Sequence, residues 1–442
     1  MMKKPIIVVQ GGQWGSEAKG MVAAALGRRR AVDFCVRTGT VNAGHTVYKA
    51  ESSLKDGVRY VMQQLPVGWV HGADLVIGPG AYVHPEIFDH ELAMVREAGY
   101  KGTIHVDNRC GLHLPSHTMR ATVADRHHKM GATGKGCSEA VIEKISGRGG
   151  SGMLFKDFWP SSGKDDFIWT DTVELLNGGY DAGKQILIEG TQGTFLDLHL
   201  GPYPFTTHKQ TTAAAWVTEA GLSPALDFEV VLVVRTFPIR VAGNSGPMPQ
   251  EISWPILAAD INRKLAGMDK PPIVSHKALM EFERAIWETH RHIYPNAPSP
   301  ILQHEWTPEE REYHRVALSE MNADVIKSLS EETVTELKKL FEFTTVTKKL
   351  RRVARLDADM LRYSVMLNRP KWIALTFLNY VFPGLWGKPE LMSEMIGDYN
   401  RAPMQYIDDV ETACGVRVGA VTVGPEEDCY CGSLGVYNDS SR

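Results

Sequence analysis

The feature that most constrains this chain is a glycine-rich loop directly after its first apolar run. Residues 6–9 are four consecutive aliphatic residues, a pattern typical of a buried strand in a parallel sheet. Three glycines within residues 11–15 then allow a tight turn and the close approach of a ligand, and Lys19 stands where a helix should begin. Free N–H groups at a helix N-terminus and a lysine ammonium both attract phosphate. The sequence therefore predicts an anion site here.

This loop departs from a standard P-loop at one position. The P-loop pattern places serine or threonine after the lysine, where the hydroxyl binds magnesium, whereas Gly20 follows Lys19. Any metal must therefore find other ligands. Because glycine-rich turns also follow the first strand of many other α/β proteins, the spacing alone leaves an ordinary structural turn as the alternative.

Composition narrows the class of protein. The chain has 442 residues, of which 43% are hydrophobic, enough for one large or two ordinary domains. Its formal charge of −4 comes from 48 basic and 52 acidic residues, so we expect no nucleic-acid partner. An anionic substrate would need a local basic site.

Cysteine spacing and hydropathy predict a cytoplasmic protein. The six cysteines are scattered without zinc-site spacing and are interpreted as reduced thiols. No apolar run reaches the 18 residues expected of a membrane span. Residues 1–5 lead directly into the first apolar run, which leaves no room for a signal peptide.

Apolar runs followed by glycine turns recur along the chain. The further predicted strands or strand–turn units are residues 31–36, 74–83, 103–106, 185–194, 230–234 and 372–379. Residues 85–98 form a predicted amphipathic helix. This alternation predicts an α/β fold with a mostly parallel central sheet and flanking helices, in which the loops at the carboxyl ends of the strands form the site.

Two of the glycine loops carry a resemblance to a known family. Residues 13–20, Gln-Trp-Gly-Ser-Glu-Ala-Lys-Gly, resemble the Q-W-G-D-E-G-K-G signature of adenylosuccinate synthetases, and residues 42–46, Asn-Ala-Gly-His-Thr, resemble its second signature. The likeness extends almost from end to end, although residues 267–340 match poorly. It implies a P-loop-like nucleotide site in one domain spanning residues 1–442, and a homodimer.

The resemblance also implies a reaction and its partners. Members of the family are ligases that join L-aspartate to C6 of a purine nucleotide, with Mg²⁺ as cofactor. A nucleoside triphosphate first phosphorylates the 6-oxygen, and the aspartate amine then displaces that phosphate. By analogy, Lys19 stabilises the transferred phosphate, His45 is the general acid, a task that suits the pKa of imidazole, and Gln192 binds the 6-oxygen. Without the family context, a lone histidine such as His45 would be interpreted as structural.

The family pattern assigns the remaining site residues. The substrate nucleotide is expected to contact Ser16, Asn42, Thr133, Gln192, Thr207, Val241 and Arg148. The donor nucleotide is expected to contact Gly15, Glu17, Ala18, Lys19, Gly20, Gly44, His45, Thr46, Asn379, Gly424 and Pro425. Arg148, or else Lys144, would reach the substrate phosphate of the neighbouring subunit, although a surface arginine in a flexible glycine run is the alternative. Magnesium would bind the Gly44 carbonyl, with Ser16 as a second ligand.

One departure concerns the substrate. The family's loop aspartate is the general base on purine N1, and here Ser16 replaces it. A serine hydroxyl is not an ionised base near neutral pH, but it is small and can accept a hydrogen bond from the 2-amino group of a guanine nucleotide. The substitution resembles the phage branch of the family, the 2-aminoadenylosuccinate synthetases, which act on dGMP in the pathway to diaminopurine DNA.

A second departure concerns the donor base. The family's T-K-L-D strand uses its aspartate to bind guanine, and here Phe377 and Asn379 replace the lysine and the aspartate. Because an amide both donates and accepts, we expect ATP or dATP as the donor instead of GTP.

The aspartate substrate is assigned to a basic, threonine-rich loop. Residues 344–352 align with the family's T-T-G-R-R-R-R loop, so Thr347 and Lys349 would hold L-aspartate and Arg351 would reach the substrate ribose. Lys349, and Lys135 in the phosphate loop, replace arginines and lose the bidentate fork. The histidine-rich section near residues 280–340 is expected to be helical and peripheral, without a metal site.

Two alternatives stay open at this point. The first is an ordinary adenylosuccinate synthetase that acts on inosine monophosphate (IMP) with GTP. The second is an inactive nucleotide-binding homologue in which Ser16 marks the loss of catalysis. The presence of Lys19, Asn42, His45 and Gln192 argues against the second.

Overall fold

A ten-stranded sheet organises the computed structural model of this chain. The structure describes residues 3–51, 54–124, 133–150, 152–159, 166–241, 245–293, 325–344, 349–388, 401–424 and 430–431. Across the sheet the strands are β17 (Tyr430–Cys431), β16 (Val418–Thr422), β15 (Trp372–Thr376), β11 (Phe228–Arg235), β1 (Ile6–Gly11), β10 (Ile186–Glu189), β2 (Phe34–Arg37), β5 (Asp74–Ile77), β7 (Ile104–Asp107) and β9 (Ile168–Thr170). All neighbours pair in parallel except β17, which is antiparallel to β16.

Burial explains why the apolar runs become central strands. Every residue of β1 is buried, and Val8 pairs with Ile188 on one side and Val230 on the other. Both faces of the sheet are covered, so the strands are aliphatic without alternation. The predicted α/β class with a mostly parallel sheet is confirmed. Because the strands are parallel, the loops after β1, β2, β10, β11 and β15 all emerge at the same edge.

Helices cover the two faces of the sheet. The α-helices, three of which pack in a separate core described below, are Lys19–Arg29, Pro85–Glu97, Pro115–Val123, Cys137–Ser146, Phe155–Phe158, Thr172–Asp181, Ala213–Glu219, Trp254–Ala266, His276–Ile293, Glu331–Leu337, Ala358–Asn368 and Arg401–Cys414. Val22 and Leu26 pack with Leu75 in the core on one face, and Trp216 packs with Leu176 in the core on the other. The predicted helix over residues 85–98 is present, with proline in its first turn.

Smaller sheets and a separate core complete the fold. The short strands are β3 (His45–Glu51), β4 (Leu54–Met62), β6 (Tyr82–Val83), β8 (Gly111–Leu112), β12 (Ile239–Arg240), β13 (Glu251–Ile252) and β14 (Arg352–Ala354). Helices Trp254–Ala266, His276–Ile293 and Glu331–Leu337 pack around Phe282 and Phe341 in a core of their own. The described part of section 280–340 is mainly helical, while residues 294–324 lie outside the described residues.

Two findings concern membrane-spanning helices and the cysteine side chains. No helix in the described part of the chain is long and apolar enough to cross a membrane. Among the described residues, Cys35, Cys110, Cys137 and Cys414 are free thiols.

Candidate active site

A cavity of about 1060 Å³ opens at the carboxyl edge of the central sheet, where the glycine loops converge. It brings together most of the residues that the sequence assigned to one site. Those in its lining are Gly15, Ser16, Ala18, Lys19, Gly20, Asn42, Gly44, His45, Thr46, Thr133, Gln192, Thr207, Val241, Lys349, Arg351 and Asn379. Their convergence follows from the parallel strand order, because residues far apart in sequence end at neighbouring positions of one edge.

A few assigned residues are placed elsewhere. Glu17, Lys144, Arg148 and Gly424 do not line the cavity. The side chain of Arg148 is exposed, and its Nε donates to the Ile145 carbonyl at 2.9 Å. Thr347 and Pro425 lie outside the described residues.

The loop after β1 is held in its shape by Glu17. This carboxylate is fully buried and accepts hydrogen bonds from the backbone N–H of Gln13 at 3.1 Å and of Gly15 at 2.8 Å. Ser16 and Ala18 flank it in the left-handed region, with φ of 64° and 71°. Glu17 therefore shapes the loop through its buried side chain, which does not line the cavity.

Lys19 is the first residue of helix Lys19–Arg29 and also pairs with Glu17. Its Nζ lies 2.7 Å from Glu17 Oε2, and both side chains are buried. An ammonium has three donors, so this ion pair leaves others for a phosphate in the cavity. The pairing neutralises a lysine that would otherwise be buried with an uncompensated charge.

Ser16 contacts a cation from the loop that the sequence assigned to aspartate. Ser16 Oγ accepts a hydrogen bond from Arg351 Nη1 at 2.9 Å. Burial lowers the pKa of Arg351 to about 10, which keeps the guanidinium charged at neutral pH. The hydroxyl retains its own hydrogen and a second lone pair for a ligand. The two loops are 335 positions apart, so sequence reasoning assigned both residues but not their contact.

Sequence reasoning missed the group that joins these loops. Arg235, at the end of β11, donates to the Ser16 carbonyl at 3.3 Å and forms an ion pair with Glu342. Glu342 also accepts from the Tyr380 hydroxyl at 3.0 Å, and Arg235 lies 3.8 Å from the centroid of the Phe377 ring. Arg235, Glu342, Phe377 and Tyr380 all line the cavity. An arginine directly after a buried strand was the only sequence signal for this group.

His45 is held by a buried carboxylate that the sequence did not assign. Its Nδ1 hydrogen-bonds Glu189, the last residue of β10, which also accepts from Arg37 Nη1 at 3.3 Å. Because an ionised carboxylate only accepts, Nδ1 carries the proton and Nε2 is unprotonated in the neutral ring. Burial opposes ionisation of Glu189, but His45 and Arg37 outweigh it and hold the pKa of this carboxyl below its ordinary value.

The electrostatic surroundings of His45 favour its neutral form. Burial lowers the pKa of His45 to about 4, Arg37 and Lys19 act in the same direction, and Glu189 opposes them. An anion bound beside Nε2 would raise this pKa.

Gln192 presents an unpaired amide. It adopts φ of 55° on the loop after β10, and its Oε1 accepts a hydrogen bond from Thr191 Oγ1 at 2.7 Å. Its Nε2 is buried without a hydrogen-bond partner among the described residues. A strained backbone and an orphaned donor in a cavity indicate a ligand acceptor such as a carbonyl oxygen.

The predicted phosphate loop closes another side of the cavity. Thr133 Oγ1 donates to Asn42 Oδ1 at 2.6 Å, so two assigned residues contact each other. Lys135 Nζ donates to the Val41 carbonyl at 2.7 Å and to Gln63, and its ammonium lines the same side. The predicted loop spans residues 130–137, of which residues 130–132 lie outside the described residues.

Asn379 occupies an aromatic end of the cavity. The side chain is fully buried, and neither its amide nitrogen nor its oxygen has a hydrogen-bond partner within the described ranges. Phe377, Tyr380 and Trp386 line the cavity beside it. An orphaned amide among aromatic rings suits a planar base with one donor and one acceptor on its edge.

The oxygen donors of the cavity fit a magnesium ion that a nucleotide brings with it. No cluster of three or more metal-ligating side chains occurs in the described ranges. The Gly44 backbone and the Ser16 hydroxyl line the cavity near Lys19 and supply hard oxygen atoms. Magnesium commonly takes few protein ligands and completes its shell with phosphates and water, which agrees with this donor set.

The fold is of the α/β class, and its cavity lies at the carboxyl edge of a parallel sheet, where enzymes of this class bind their ligands. A family model described as adenylosuccinate synthetase matches residues 8–158 and 162–385. The chain therefore belongs to the adenylosuccinate synthetase family, whose members are ligases that form a C–N bond.

Individual relatives agree with this assignment. The adenylosuccinate synthetase of Thermococcus onnurineus is 28% identical over 428 residues, which cover 96% of each chain. The enzyme of Methanocaldococcus jannaschii is 34% identical over 260 residues, 57% of this chain and 71% of the relative.

Solved structures share the fold. The succinoaminodeoxyadenylate synthetase of cyanophage S-2L, bound to dGMP and to dATP as an energy donor, superposes with a TM-score of 0.65 and 21% identity over 98% of this chain and 96% of its own. The fully ligated adenylosuccinate synthetase of Plasmodium falciparum has a TM-score of 0.64 and 18% identity over 97% and 100% of the two chains.

Proposed function

We propose that this enzyme joins L-aspartate to C6 of dGMP, with ATP or dATP as the phosphoryl donor. The observation that carries the proposal is Ser16, which lines the cavity where the family pattern has an aspartate. The Ser16 hydroxyl, held by Arg351, has a lone pair for the 2-amino group of guanine. A carboxylate at this position would crowd that group.

The reaction would proceed in two balanced steps. In the first, the 6-oxygen of the purine attacks the γ-phosphorus, the bond from this phosphorus to the β-phosphate oxygen breaks, and the N1 proton passes to solvent water. In the second, the aspartate amine attacks C6 and gives one proton to solvent water, the C6–O bond breaks, and phosphate departs. The products are the 6-succinylamino derivative of the nucleotide, ADP or dADP, and phosphate.

The cavity residues have separate tasks in these steps. Lys19 would stabilise the transferred phosphoryl group, and the unpaired Nε2 of Gln192 would donate to the 6-oxygen. His45 would act through Nε2 as the general acid on that oxygen once bound phosphates have raised its pKa. Mg²⁺, held by phosphate oxygens with the Gly44 carbonyl, would supply positive charge to the transferred group, because both lone pairs of Ser16 Oγ are taken by Arg351 and the 2-amino group.

The donor preference follows from Asn379. Its orphaned amide can accept from the exocyclic amine of adenine and donate to a ring nitrogen. Guanine presents two adjacent donors, which an amide cannot both satisfy. ATP or dATP is therefore preferred over GTP.

The same proposal assigns L-aspartate to the loop that contacts Ser16. Arg351 and Lys349 line the cavity and provide cations for the two carboxylates. The short distance between Ser16 Oγ and Arg351 brings this loop to the reacting end of the purine.

We extend the proposal to a homodimer. The exposed helices Pro115–Val123 and Cys137–Ser146 present an apolar patch, in which Met119 is 70% and Val123 is 87% exposed. A patch of this kind marks an interaction site. Arg148 follows the second helix, is exposed and does not line its own cavity, which suits a role on the substrate phosphate of a second copy.

A second candidate has support from the relatives. Relatives that match nearly the whole chain are named adenylosuccinate synthetases, without a mention of dGMP. Such an enzyme would use IMP and GTP.

One assay separates the two. Phosphate release by the purified protein is measured with L-aspartate and Mg²⁺ for dGMP or IMP, each with ATP, dATP and GTP. Aspartate-dependent release with dGMP and an adenine donor supports the proposal, and release with only IMP and GTP contradicts it. Nucleotide binding without release in any combination would indicate an inactive homologue.

A further inference from the structure

We propose that Glu189 is a positioning residue that holds the His45 imidazole with Nε2 directed into the cavity. The inference rests on the proposed role of His45 as general acid, but not on which purine is the substrate. It concerns a carboxylate that hydrogen-bonds the ring and does not itself line the cavity.

The contacts of Glu189 leave it little freedom. Its side chain is buried, and Oε1 accepts from His45 Nδ1 and from Arg37 Nη1. The other oxygen, Oε2, accepts from the Val67 N–H at 2.8 Å. With both oxygens bound by groups from different elements, the carboxylate cannot turn away from the ring.

The position of this carboxylate is set by the sheet. Strands β10 and β2 are parallel neighbours in which Ile188 pairs with Val36. The next residue of each strand is Glu189 and Arg37, so the ion pair of 3.3 Å forms at the edge where the cavity opens. His45 begins β3 and lies 144 positions before Glu189.

The opposite side of the histidine is held by the first helix. A Cβ added to Gly20 would lie 2.7 Å from His45 Cβ, so the two backbones are in close contact. The ring is thereby fixed by Gly20 at its base and by Glu189 at Nδ1. The charged groups that face it are Arg37 from β2, Lys19 from the helix and Glu189 from β10.

This arrangement decides which nitrogen can serve the reaction. Because Glu189 retains the Nδ1 proton, proton transfer to a ligand can occur only at Nε2. Arg37 keeps the carboxylate ionised, so Glu189 stabilises an imidazolium without taking its proton. The loop after β10 carries Gln192. The end of this one strand therefore positions both the His45 imidazole, through Glu189, and the Gln192 amide.

The test is a double-mutant cycle on the full-length protein. Glu189→Gln keeps the shape of the side chain and removes the negative charge, and His45→Gln removes the acid. Rates of aspartate-dependent phosphate release are measured with dGMP and ATP and with IMP and GTP. We expect Glu189→Gln to lower kcat by about 10²-fold or more without a matching rise in KM, and to add nothing in the His45→Gln background.

A matched control separates positioning from general damage. Glu229 is another buried carboxylate of the same sheet and forms ion pairs with Arg30 and Lys371. It lies near the start of β11, at the end of the strand that is remote from the cavity. Glu229→Gln should lower thermal stability without changing kcat. If Glu189→Gln does not fold, Glu189→Asp retains the charge, withdraws it by one methylene, and takes its place in the cycle.

The outcomes distinguish this inference from the proposed function. If His45→Gln keeps the full kcat, the role of His45 as general acid is refuted. If His45→Gln is impaired and Glu189→Gln lowers the rate by the same factor in both backgrounds, the positioning role alone is overturned. Where rates are too low to measure, ¹⁵N spectra of histidine-labelled protein report the tautomer: the Nδ1–H form of His45 should predominate in the unsubstituted protein, and a predominant Nε2–H form there contradicts the inference.

Discussion

The substitution Ser16→Asp tests the proposed substrate most directly. Position 16 has φ of 64°, a region in which aspartate is enriched among residues other than glycine. The loop should therefore accept the new side chain without added backbone strain. The carboxylate would replace a hydroxyl that lies 2.9 Å from Arg351 Nη1 and would pair with that guanidinium.

The expected magnitude has two parts. Overpacking against the 2-amino group of dGMP should cost about 1–3 kcal/mol, which is a loss of about 5- to 150-fold in kcat/KM for dGMP. IMP has no such group and gains a general base, an effect of about 10²–10⁴-fold. Pairing with Arg351 lowers the pKa of the new carboxyl and weakens it as a base, so the lower part of that range applies. The ratio of kcat/KM for IMP to that for dGMP should rise by about 10³-fold.

The assay is steady-state phosphate release with each nucleotide at saturating aspartate and donor. Ser16→Asn is the matched control, because it has the shape of aspartate without the base, and it should lose dGMP activity without gaining IMP activity. An unchanged preference in Ser16→Asp, or an equal gain for IMP in Ser16→Asn, would refute the reasoning.

Three further predictions concern the donor, the loop and pH. Asn379→Asp should raise the ratio of kcat/KM for GTP to that for ATP by about tenfold or more, because a carboxylate accepts from both donors of guanine; an unchanged ratio in a donor competition assay would contradict this. Gly193→Ala would place a Cβ 2.4 Å from the Gln13 carbonyl oxygen, and the unfolding free energy in urea should fall by about 1–3 kcal/mol or more. Burial lowers the pKa of His208 from 6.5 to about 3. As the pH falls, the unfolded chain therefore takes up a proton at His208 before the folded protein does. Stability should therefore decline between about pH 6.5 and 3, and His208→Gln should make the decline in urea unfolding shallower.

Much of the fold could be predicted because its strands are buried on both faces. The aliphatic runs of residues 6–9 and 230–234 are each part of a central strand, since a strand covered on both sides cannot alternate with polar residues. The last residues of several strands could not be predicted from hydrophobicity, because they are polar. Arg37, Glu189 and Arg235 each end a strand and were assigned no task from the sequence.

The sequence by itself determined the α/β class, the glycine loops and the types of residue available for chemistry. These properties are local, because glycine permits a turn and an aliphatic run demands burial wherever they occur in a chain. Only the tertiary structure decided that Glu17 is buried beneath its loop, that Glu189 supports His45, and that Arg351 contacts Ser16. Those contacts join residues of different strands and loops, and their electrostatic effects depend on distance and burial that exist only when the sheet has formed.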